Sequence, residues 1–527
     1  MKQITLDPDT WEKALEWEKI WCRCAKHACM STLTITNKEL HRPAEPWFGK
    51  GERVTKYFTL NEVTLETFNA ELSVAYPSYG QGFPNELFQD VIPPVEWKEI
   101  PTVSGMSDEA EIPSWHERID TVVKSYLTKY KLPGGCNLCM VKPGGKVLYN
   151  KAFGVKSITD PLAEPMTPQN LSYAASVSKT ITSVAVMCCY EDGTLTLDQS
   201  IFSILCEKGN VKPTLKDERV AKITVKMCMN HTAGFSDGGG MGTVATLITN
   251  CKAAAEYLAA ITLSSDPGTN HEYNNLGPNL LGRVIEAVSG AEHYEQFVQD
   301  RVFKVLDLPK CNKYSDLPVL SSKYKQCPME VPMYTPTRPG TIKDDLSNLY
   351  WKYLWGSERI AQGNKELGMG GSGGWKTTAL QCAAMGADLY QALLNPDGSG
   401  KIFKKQTTAQ HLFSSAHAHP SCEKDYSAMG WYGLGNIGWS PDKSKCTPEE
   451  NNYNKDGNAQ TQFMHGGTFG SAFHMGENIA WYFSLTAQPH FNGDHTMHHL
   501  FGPNGEGLKD QLRLLIQTMV YGEGLQF

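Results

Sequence analysis

Residues 174–193 read AASVSKTITSVAVMCCYEDG, and this stretch decides the fold. Apolar residues dominate it as far as Tyr190, which predicts a long buried helix that ends at Gly193, a residue type favoured after helix C-termini. Its first turn contains Ser176-Val-Ser-Lys179, a serine and a lysine one helical turn apart. The lysine amine can therefore lie against the serine hydroxyl, with the positive end of the helix dipole beside both groups.

The S-x-x-K pattern occurs four times, at Ser176, Ser322, Ser421 and Ser440. Only the first begins a long apolar helix, whereas the others lie in Lys-rich or loop-like sequence. A lysine accepts a proton only in its neutral form, so a general-base lysine needs a pKa lowered from about 10.4 toward roughly 7. Burial in an apolar helix favours that shift. We predict Ser176 as the nucleophile and Lys179 as its base; a capping serine followed by a surface lysine is the alternative.

Tyr273-Asn-Asn275 is the one Y-x-N triplet of the chain, and it follows a turn predicted at Asp266-Pro-Gly268. A tyrosine hydroxyl near a lysine ammonium can relay a proton to a leaving group. We therefore predict Tyr273 as a catalytic residue, and Asn275 as a group that holds Lys179 and a substrate carbonyl. A tyrosine that only packs in a loop is the alternative.

His465-Gly-Gly467-Thr468 precedes two predicted strands. Small residues would let a substrate lie along a strand edge, and the Thr468 N–H would complete an oxyanion hole with the Ser176 N–H. His465, Gly467 and Thr468 are therefore candidate substrate-binding residues, with a simple turn as the alternative. His474-Met-Gly476 has the same H-x-G spacing, but we place it inside a strand.

The order S-x-x-K, Y-x-N, H-x-G resembles that of class C β-lactamases, related penicillin-binding proteins and β-lactamase-fold esterases. Other segments similar to this family occur in the family's order: Leu132-Pro-Gly134, Gly145-Lys-Val-Leu-Tyr149, Ala174–Thr180, Asn230-His-Thr-Ala-Gly234 and Tyr432-Gly-Leu-Gly435. The resemblance covers about residues 115–520. It implies an α/β (α+β) fold of the β-lactamase/DD-peptidase type, in which an antiparallel sheet is flanked by helices and joined by a helical subdomain.

The resemblance also implies that an ester or amide carbonyl acylates Ser176, and that water or another acceptor then attacks the acyl group. β-Lactamases usually carry Lys-Thr-Gly at the third motif, where the lysine attracts the drug carboxylate. Here the position is His465, whose mostly neutral imidazole favours uncharged esters. We predict a serine hydrolase acting on small esters or amides, without cofactor or metal. An acyltransferase using the same acyl-enzyme, and a non-catalytic scaffold or assembly protein retaining the fold, stay open.

Local patterns place the remaining elements. Helical spacing begins at Trp115, a hairpin turns at Lys142–Gly145, and residues 277–290 are helical. Predicted strands near both ends of this region indicate one antiparallel sheet shared by the termini, and residues 508–520 form a closing helix. We divide the chain into an N-terminal extension of unknown role, residues 1–110, and a β-lactamase-like serine hydrolase domain, residues 111–527, in which residues 312–367 form an irregular insertion.

Composition narrows the class of protein. A net charge of −7 and the lack of a basic face argue against nucleic acid as a partner. No apolar run is long enough to cross a membrane, and the N-terminus lacks a signal-peptide core, so we expect a cytoplasmic enzyme. The fifteen cysteines are then expected to be reduced, and Cys136 and Cys139 should point to opposite faces of a strand. The sequence leaves open whether the chain forms a homo-oligomer.

Two other motifs have structural interpretations. Gly370-Gly-Ser372-Gly-Gly374 matches the G-x-S-x-G of α/β-hydrolases, but no buried strand precedes it, and we expect a flexible wall of the same cleft. Histidines and an aspartate crowd one segment, and we expect a solvated loop there, with a metal site as the alternative: His490, Asp494, His495, His498 and His499.

Overall fold

The structure is a computed structural model, and it describes a defined part of the chain. The described residues are 39–41, 53–55, 102–104, 114–130, 132, 134–156, 165–236, 248–308, 317–320, 331, 334–337, 350–353, 370–395, 397, 400–422, 430–439, 462–467, 470–486 and 507–527.

The largest element is an eight-stranded antiparallel sheet. Its strands, from one edge to the other, are β11 Gly430–Tyr432, β12 Ile437–Trp439, β13 Gln462–Gly467, β14 Ser471–Gly476, β15 Ile479–Leu485, β4 Gly135–Val141, β5 Val147–Gly154 and β3 Thr102–Ser104. The predicted hairpin is confirmed as β4 and β5, and the predicted C-terminal strand pair as β14 and β15. β15 pairs with β4, so strands from distant parts of the chain share one sheet, as predicted.

The other described strands form three smaller sheets. Three short strands form a second sheet: β6 Ser172–Tyr173, β10 Trp375–Thr377 and β7 Val319–Leu320. Two antiparallel pairs stand apart: β1 Glu39–His41 with β2 Arg53–Thr55, and β8 Tyr334–Thr337 with β9 Tyr350–Tyr353. β1, β2 and β3 fall within the region predicted as an extension, and β3 forms an edge of the main sheet.

The helices follow in chain order. They are α1 Ser114–Lys129, α2 Ser178–Glu191, α3 Ile201–Gly209, α4 Val225–Met229, α5 Cys251–Ala260, α6 Leu276–Ser289, α7 Tyr294–Val298, α8 Ala379–Leu394, α9 Gln406–Phe413 and α10 Leu508–Gln517. The predicted helices at 115, 277–290 and 508–520 are thus present. α6 ends where Gly290 takes a left-handed conformation, with a φ of 74°, which a residue without Cβ adopts at low cost.

Both faces of the main sheet are covered. Along β4, alternate side chains enter two different apolar clusters, so Cys136 and Leu138 lie on one face and Cys139 and Val141 on the other. α1 and α10 contribute to the cluster that contains Cys136 and Leu138. α8 packs on the face that carries Cys139 and Val141. Strands buried on both faces need apolar side chains on both, which explains their continuous hydrophobic sequence. The prediction for Cys136 and Cys139 is confirmed.

Helix α2 lies in the centre of the helical part of the molecule. Its residues from Ser178 to Cys189 are all buried, and α6 and α9 pack against it. A helix that is buried around its whole circumference has to be enclosed by other elements. Among the described helices, none is both long and apolar enough to cross a membrane.

Candidate active site

The candidate nucleophile lies where β6 runs into α2. Ala174 N–H donates to Trp375 O on β10, at 2.9 Å, and this bond ends the strand. Ala175 then adopts a φ of +46°, a left-handed conformation that is costly for a residue with a Cβ. This reversal starts a 3₁₀ turn, Ala175–Val177, that leads into α2. Ser176 therefore lies in this turn, just before the helix that the sequence placed it in.

Lys179 brings its amine to this serine. The side chain is 1% exposed, and Nζ lies 3.0 Å from Ser176 Oγ. Nζ also donates to Asn275 Oδ1 at 2.8 Å and to the backbone carbonyl of Ser372 at 3.0 Å. The contact that the S-x-x-K spacing predicts is present, and two neutral oxygens fix the position of the amine.

The Y-x-N triplet lies directly before α6, with Asn275 as the N-cap residue. Backbone N–H groups on both sides of Tyr273 are held by His231: Glu272 N–H donates to His231 O at 2.8 Å, and Asn274 N–H to its Nδ1 at 3.3 Å. The Tyr273 ring centroid lies 4.8 Å from Lys179 Nζ. The structure thus brings Ser176, Lys179, Tyr273 and Asn275 together.

His465 lies on β13, close to the same group. Its ring centroid is 6.4 Å from that of Tyr273, and its Nε2 is 3.0 Å from the hydroxyl oxygen of Tyr432. Its Nδ1 lies 2.8 Å from Gly466 O. Burial lowers the pKa of His465 to about 3, and the charge of Lys179 adds to this effect. The imidazole is therefore neutral at physiological pH, as the sequence predicted.

Gly467 ends β13 against the serine turn. A Cβ at this position would lie 2.6 Å from Ala174 O and 3.0 Å from the Cβ of Ala175, so only glycine allows this approach. Ser471, which pairs with Gly467 across β13 and β14, also donates its hydroxyl proton to Ala174 O at 2.7 Å. Thr468, the predicted oxyanion donor, lies outside the described residues.

The comparison with protein families agrees with this arrangement. The model of the Beta-lactamase family matches residues 119–498, most of the chain. The chain belongs to the Beta-lactamase family. The resemblance stated from the motifs is thereby confirmed.

Curated relatives of this Beta-lactamase family protein match over shorter stretches. A lovastatin esterase of Penicillium rubens is 29% identical over 214 residues, which are 37% of this chain and 52% of that protein. The putative fimbrial assembly protein FimD, serogroup D, of Dichelobacter nodosus is 34% identical over 156 residues, 26% of this chain and 38% of that protein. The chain thus spans about half or less of the length of these relatives.

Solved structures share the fold. An octameric penicillin-binding protein homologue from Pyrococcus abyssi has a TM-score of 0.53 and 17% identity, over 78% of this chain and 80% of that one. The hydrolase EstCE1, described as having promiscuous acyltransferase activity, has a TM-score of 0.54 and 18% identity, over 77% and 98%. At these identities the likeness establishes the β-lactamase/DD-peptidase-like fold, as predicted.

Sequence reasoning did not predict that the Ser372 carbonyl is a partner of Lys179 in this Beta-lactamase family site. Ser372 belongs to the segment predicted as a wall, and its carbonyl accepts from Lys179. The segment is fixed from two sides, because Thr182 Oγ1 donates to Gly371 O and Ser372 N–H donates to Asn279 Oδ1 at 2.8 Å. A backbone carbonyl cannot be recognised from the sequence, so the glycine-rich pattern was the one signal for this contact.

The competing motifs lie elsewhere. His474 is inside β14, as predicted, where it stacks on Trp481 and lies 3.4 Å from a Glu477 oxygen. Ser421 accepts a hydrogen bond from His271 N–H at 2.8 Å. The segment His490–His499 lies outside the described residues, as do Ser322 and Ser440. Within the part of the chain that is described, no cluster of metal-ligating side chains occurs.

Proposed function

We propose that this protein is a serine hydrolase that acts on carboxylic esters or amides through an acyl-enzyme on Ser176. One observation carries the proposal: the buried amine of Lys179 lies 3.0 Å from Ser176 Oγ. The matching lovastatin esterase supports esters in particular, over the part of its length that this chain spans. Ser176, Lys179 and Tyr273 are the proposed catalytic residues.

The partners of Lys179 suit a base. A neutral amine has two N–H groups and one lone pair. The N–H groups can donate to Asn275 Oδ1 and Ser372 O, and the lone pair then faces the hydroxyl proton of Ser176. Once the amine has taken that proton, the face of the Tyr273 ring, 4.8 Å from Nζ, stabilises the positive charge.

The proposed reaction has two halves. Ser176 Oγ gives its proton to Lys179 and forms a bond to the substrate carbonyl carbon, and the proton passes through Tyr273 to the leaving alcohol or amine. Water then loses a proton to the same base and attacks the acyl carbon, which releases the acid and restores the Ser176 hydroxyl. The N–H groups of Ser176 and Thr468 are the proposed oxyanion donors, and Asn275, His465 and Gly467 are the proposed groups around the substrate.

Hydrolysis of p-nitrophenyl butyrate tests the proposal. We expect Ser176→Ala to abolish turnover in a folded protein. Lys179→Ala should lose about 10²–10⁴-fold in kcat, the usual range for general acid–base catalysis, and Tyr273→Phe should lose less. A fluorophosphonate should add its mass to the peptide containing Ser176, and a chelator should have no effect on the rate.

Ser421→Ala is the matched control, since Ser421 has the same S-x-x-K spacing and its hydroxyl accepts a hydrogen bond from the backbone N–H of His271. This variant should still take up one phosphonate per chain. Turnover by Ser176→Ala at nearly the wild-type rate would refute the proposal. A wild-type protein that neither reacts with the phosphonate nor releases p-nitrophenol would favour the non-catalytic scaffold.

A further inference from the structure

The hydrogen bonds of His465 define which ring nitrogen carries a proton. Nδ1 lies 2.8 Å from the Gly466 carbonyl oxygen, which can only accept, so Nδ1 carries the hydrogen. In a neutral imidazole, Nε2 is then an acceptor. The Tyr432 hydroxyl, 3.0 Å away, therefore donates its proton to Nε2. Both nitrogens of His465 are bonded within the protein.

Groups on several elements face this imidazole. Burial is the larger cause that opposes its protonation, and Lys179 on α2 acts in the same direction whenever its amine is an ammonium. The rings of Tyr273, before α6, and Tyr432, on β11, have centroids 6.4 and 5.8 Å from its own. His231, after α4, is also kept neutral, because burial and the charge of Lys179 lower its pKa well below the ordinary value.

Tyr432 is held firmly in this position. Its side chain is 0% exposed, and its ring centroid lies 4.7 Å from that of His231 and 5.9 Å from that of Tyr273. Antiparallel pairing of β11 with β12 and of β12 with β13 fixes the strand that carries Tyr432 relative to the strand that carries His465. The sheet thus sets the hydroxyl against Nε2.

We propose that Tyr432 is a specificity-determining positioning residue, whose hydroxyl occupies Nε2 and fixes the ring of His465, so that the site accepts uncharged acyl groups and rejects those that carry a carboxylate. This inference rests on the proposed function of Ser176. His465 lies two residues before Gly467, which touches the backbone at the serine turn, so an acyl group on Ser176 that extends along the end of β13 approaches this imidazole.

The chemistry disfavours an anion at this place. A carboxylate that leaves water needs a cation or several hydrogen-bond donors to replace its hydration. His465 offers neither, because its one N–H is bound to Gly466 O and its Nε2 already receives the Tyr432 hydroxyl proton. Removing that hydroxyl would leave a buried acceptor without its donor, which raises the pKa of the imidazole.

Two esters that differ in one terminal group test the substrate class. p-Nitrophenyl hexanoate and mono-p-nitrophenyl adipate have acyl chains of equal length, ending in a methyl group and in a carboxylate. We expect kcat/KM of the wild-type protein to favour hexanoate by at least about tenfold, since the carboxylate loses its hydration. At pH 7.5, where the adipate carboxyl is fully ionised, Tyr432→Phe should lower this preference by about threefold or more, because the released imidazole can turn an N–H toward the carboxylate.

Tyr149→Phe is the matched control, because Tyr149 is also a fully buried tyrosine, and its hydroxyl donates to Asp120 at 2.6 Å. In this variant, the preference at pH 7.5 should equal that of the wild type. A wild-type protein that hydrolyses both esters equally through Ser176 would overturn the inference and leave the proposed function intact. Hydrolysis that persists in Ser176→Ala would instead overturn the proposed function.

A measurement without turnover tests the role of Tyr432 directly. In protein labelled with ¹⁵N-histidine, His465→Gln identifies the signal of His465. We expect the wild-type signal to be that of a neutral ring with its proton on Nδ1 from pH 5.5 to pH 8, and Tyr432→Phe to raise its pKa. A proton on Nε2, or a wild-type His465 that titrates within this range, would overturn the inference.

Discussion

Lys179 is surrounded by partners that lie far from it in the chain. Asn275 comes from the start of α6, and Ser372 from the segment between β9 and β10. Both offer neutral carbonyl oxygens to the buried amine, and a neutral oxygen accepts an N–H bond from either protonation state of a lysine. A carboxylate in the same place would bind the ammonium far more strongly than the neutral amine. The absence of charge on these two partners therefore favours a role of Lys179 as a base.

Asn275→Asp tests this point with almost no change in shape. The new carboxylate, about 2.8 Å from Nζ, should hold Lys179 as an ammonium and remove its basicity. We expect kcat/KM for p-nitrophenyl butyrate to fall at least about 100-fold at pH 7, with partial recovery at higher pH. Asn275→Ala, which removes the oxygen without adding charge, should lose less and show no such recovery. Equal losses and equal pH profiles in the two variants would contradict the argument.

At the scale of elements, the end of β13 and the serine turn are fitted to each other. Gly467 touches Ala174 and Ala175, and Ser471 on the neighbouring strand bonds the Ala174 carbonyl. The left-handed Ala175 is thus held by contacts on two sides. Strained backbone persists where the surrounding structure determines it, and here it sets the place of Ser176.

Gly467→Ala should therefore damage activity more than folding. Its Cβ would meet Ala174 O at 2.6 Å and lie still closer to Ser471 Oγ, so the strand end has to move away from the turn. We expect kcat for p-nitrophenyl butyrate to fall at least about tenfold, as small misplacements of reacting groups do. Circular dichroism should show an unchanged fold.

Gly373→Ala is the matched control for this substitution. It also lies near Ala175, but the nearest atom to its Cβ would be Tyr173 Oη at 3.8 Å, which is ordinary contact. This variant should keep kcat within about threefold of the wild type, because no atom has to move. If Gly467→Ala were as active as Gly373→Ala, the close fit of β13 against the turn would have no catalytic importance.

At the scale of the whole molecule, the site is assembled by a sheet that joins distant strands. β4 pairs with β15, and β13 and β11 of the same sheet carry His465 and Tyr432. Packing of these elements removes two histidines from water, where their pKa would lie near 6.5. His465 and His231 are 2% and 1% exposed, and burial lowers the pKa of both.

The stability of the whole fold should therefore fall in mild acid. A histidine with a pKa of about 3 when folded and about 6.5 when unfolded binds more protons in the unfolded state between these values, so its contribution is present above pH 6.5 and is lost as pH falls. For His465 this amounts to about 2 kcal/mol of unfolding free energy between pH 7 and pH 5. Urea denaturation at both pH values measures this loss of unfolding free energy. In His465→Gln, the loss between pH 7 and pH 5 should be smaller by about 2 kcal/mol. An unchanged loss in this variant would show that His465 already accepts a proton in the folded state.

Local patterns determined much of this protein. Apolar runs predicted α2 and the strands, and the hairpin residues at Lys142–Gly145 predicted β4 and β5. The spacing of Ser176 and Lys179 predicted their contact, because residues three apart face the same side of a helical turn. The order of the motifs predicted the Beta-lactamase family, which the family match confirms.

Only the tertiary structure decided what encloses the amine and the imidazole. The Ser372 carbonyl, the left-handed Ala175 and the bond from Tyr432 to His465 depend on backbone paths and strand pairings between residues far apart in sequence. Periodicity and spacing report neighbours within a turn or along a strand. Which distant carbonyl or hydroxyl reaches a buried nitrogen is set by how the layers pack, since a backbone oxygen looks the same at every position of the chain.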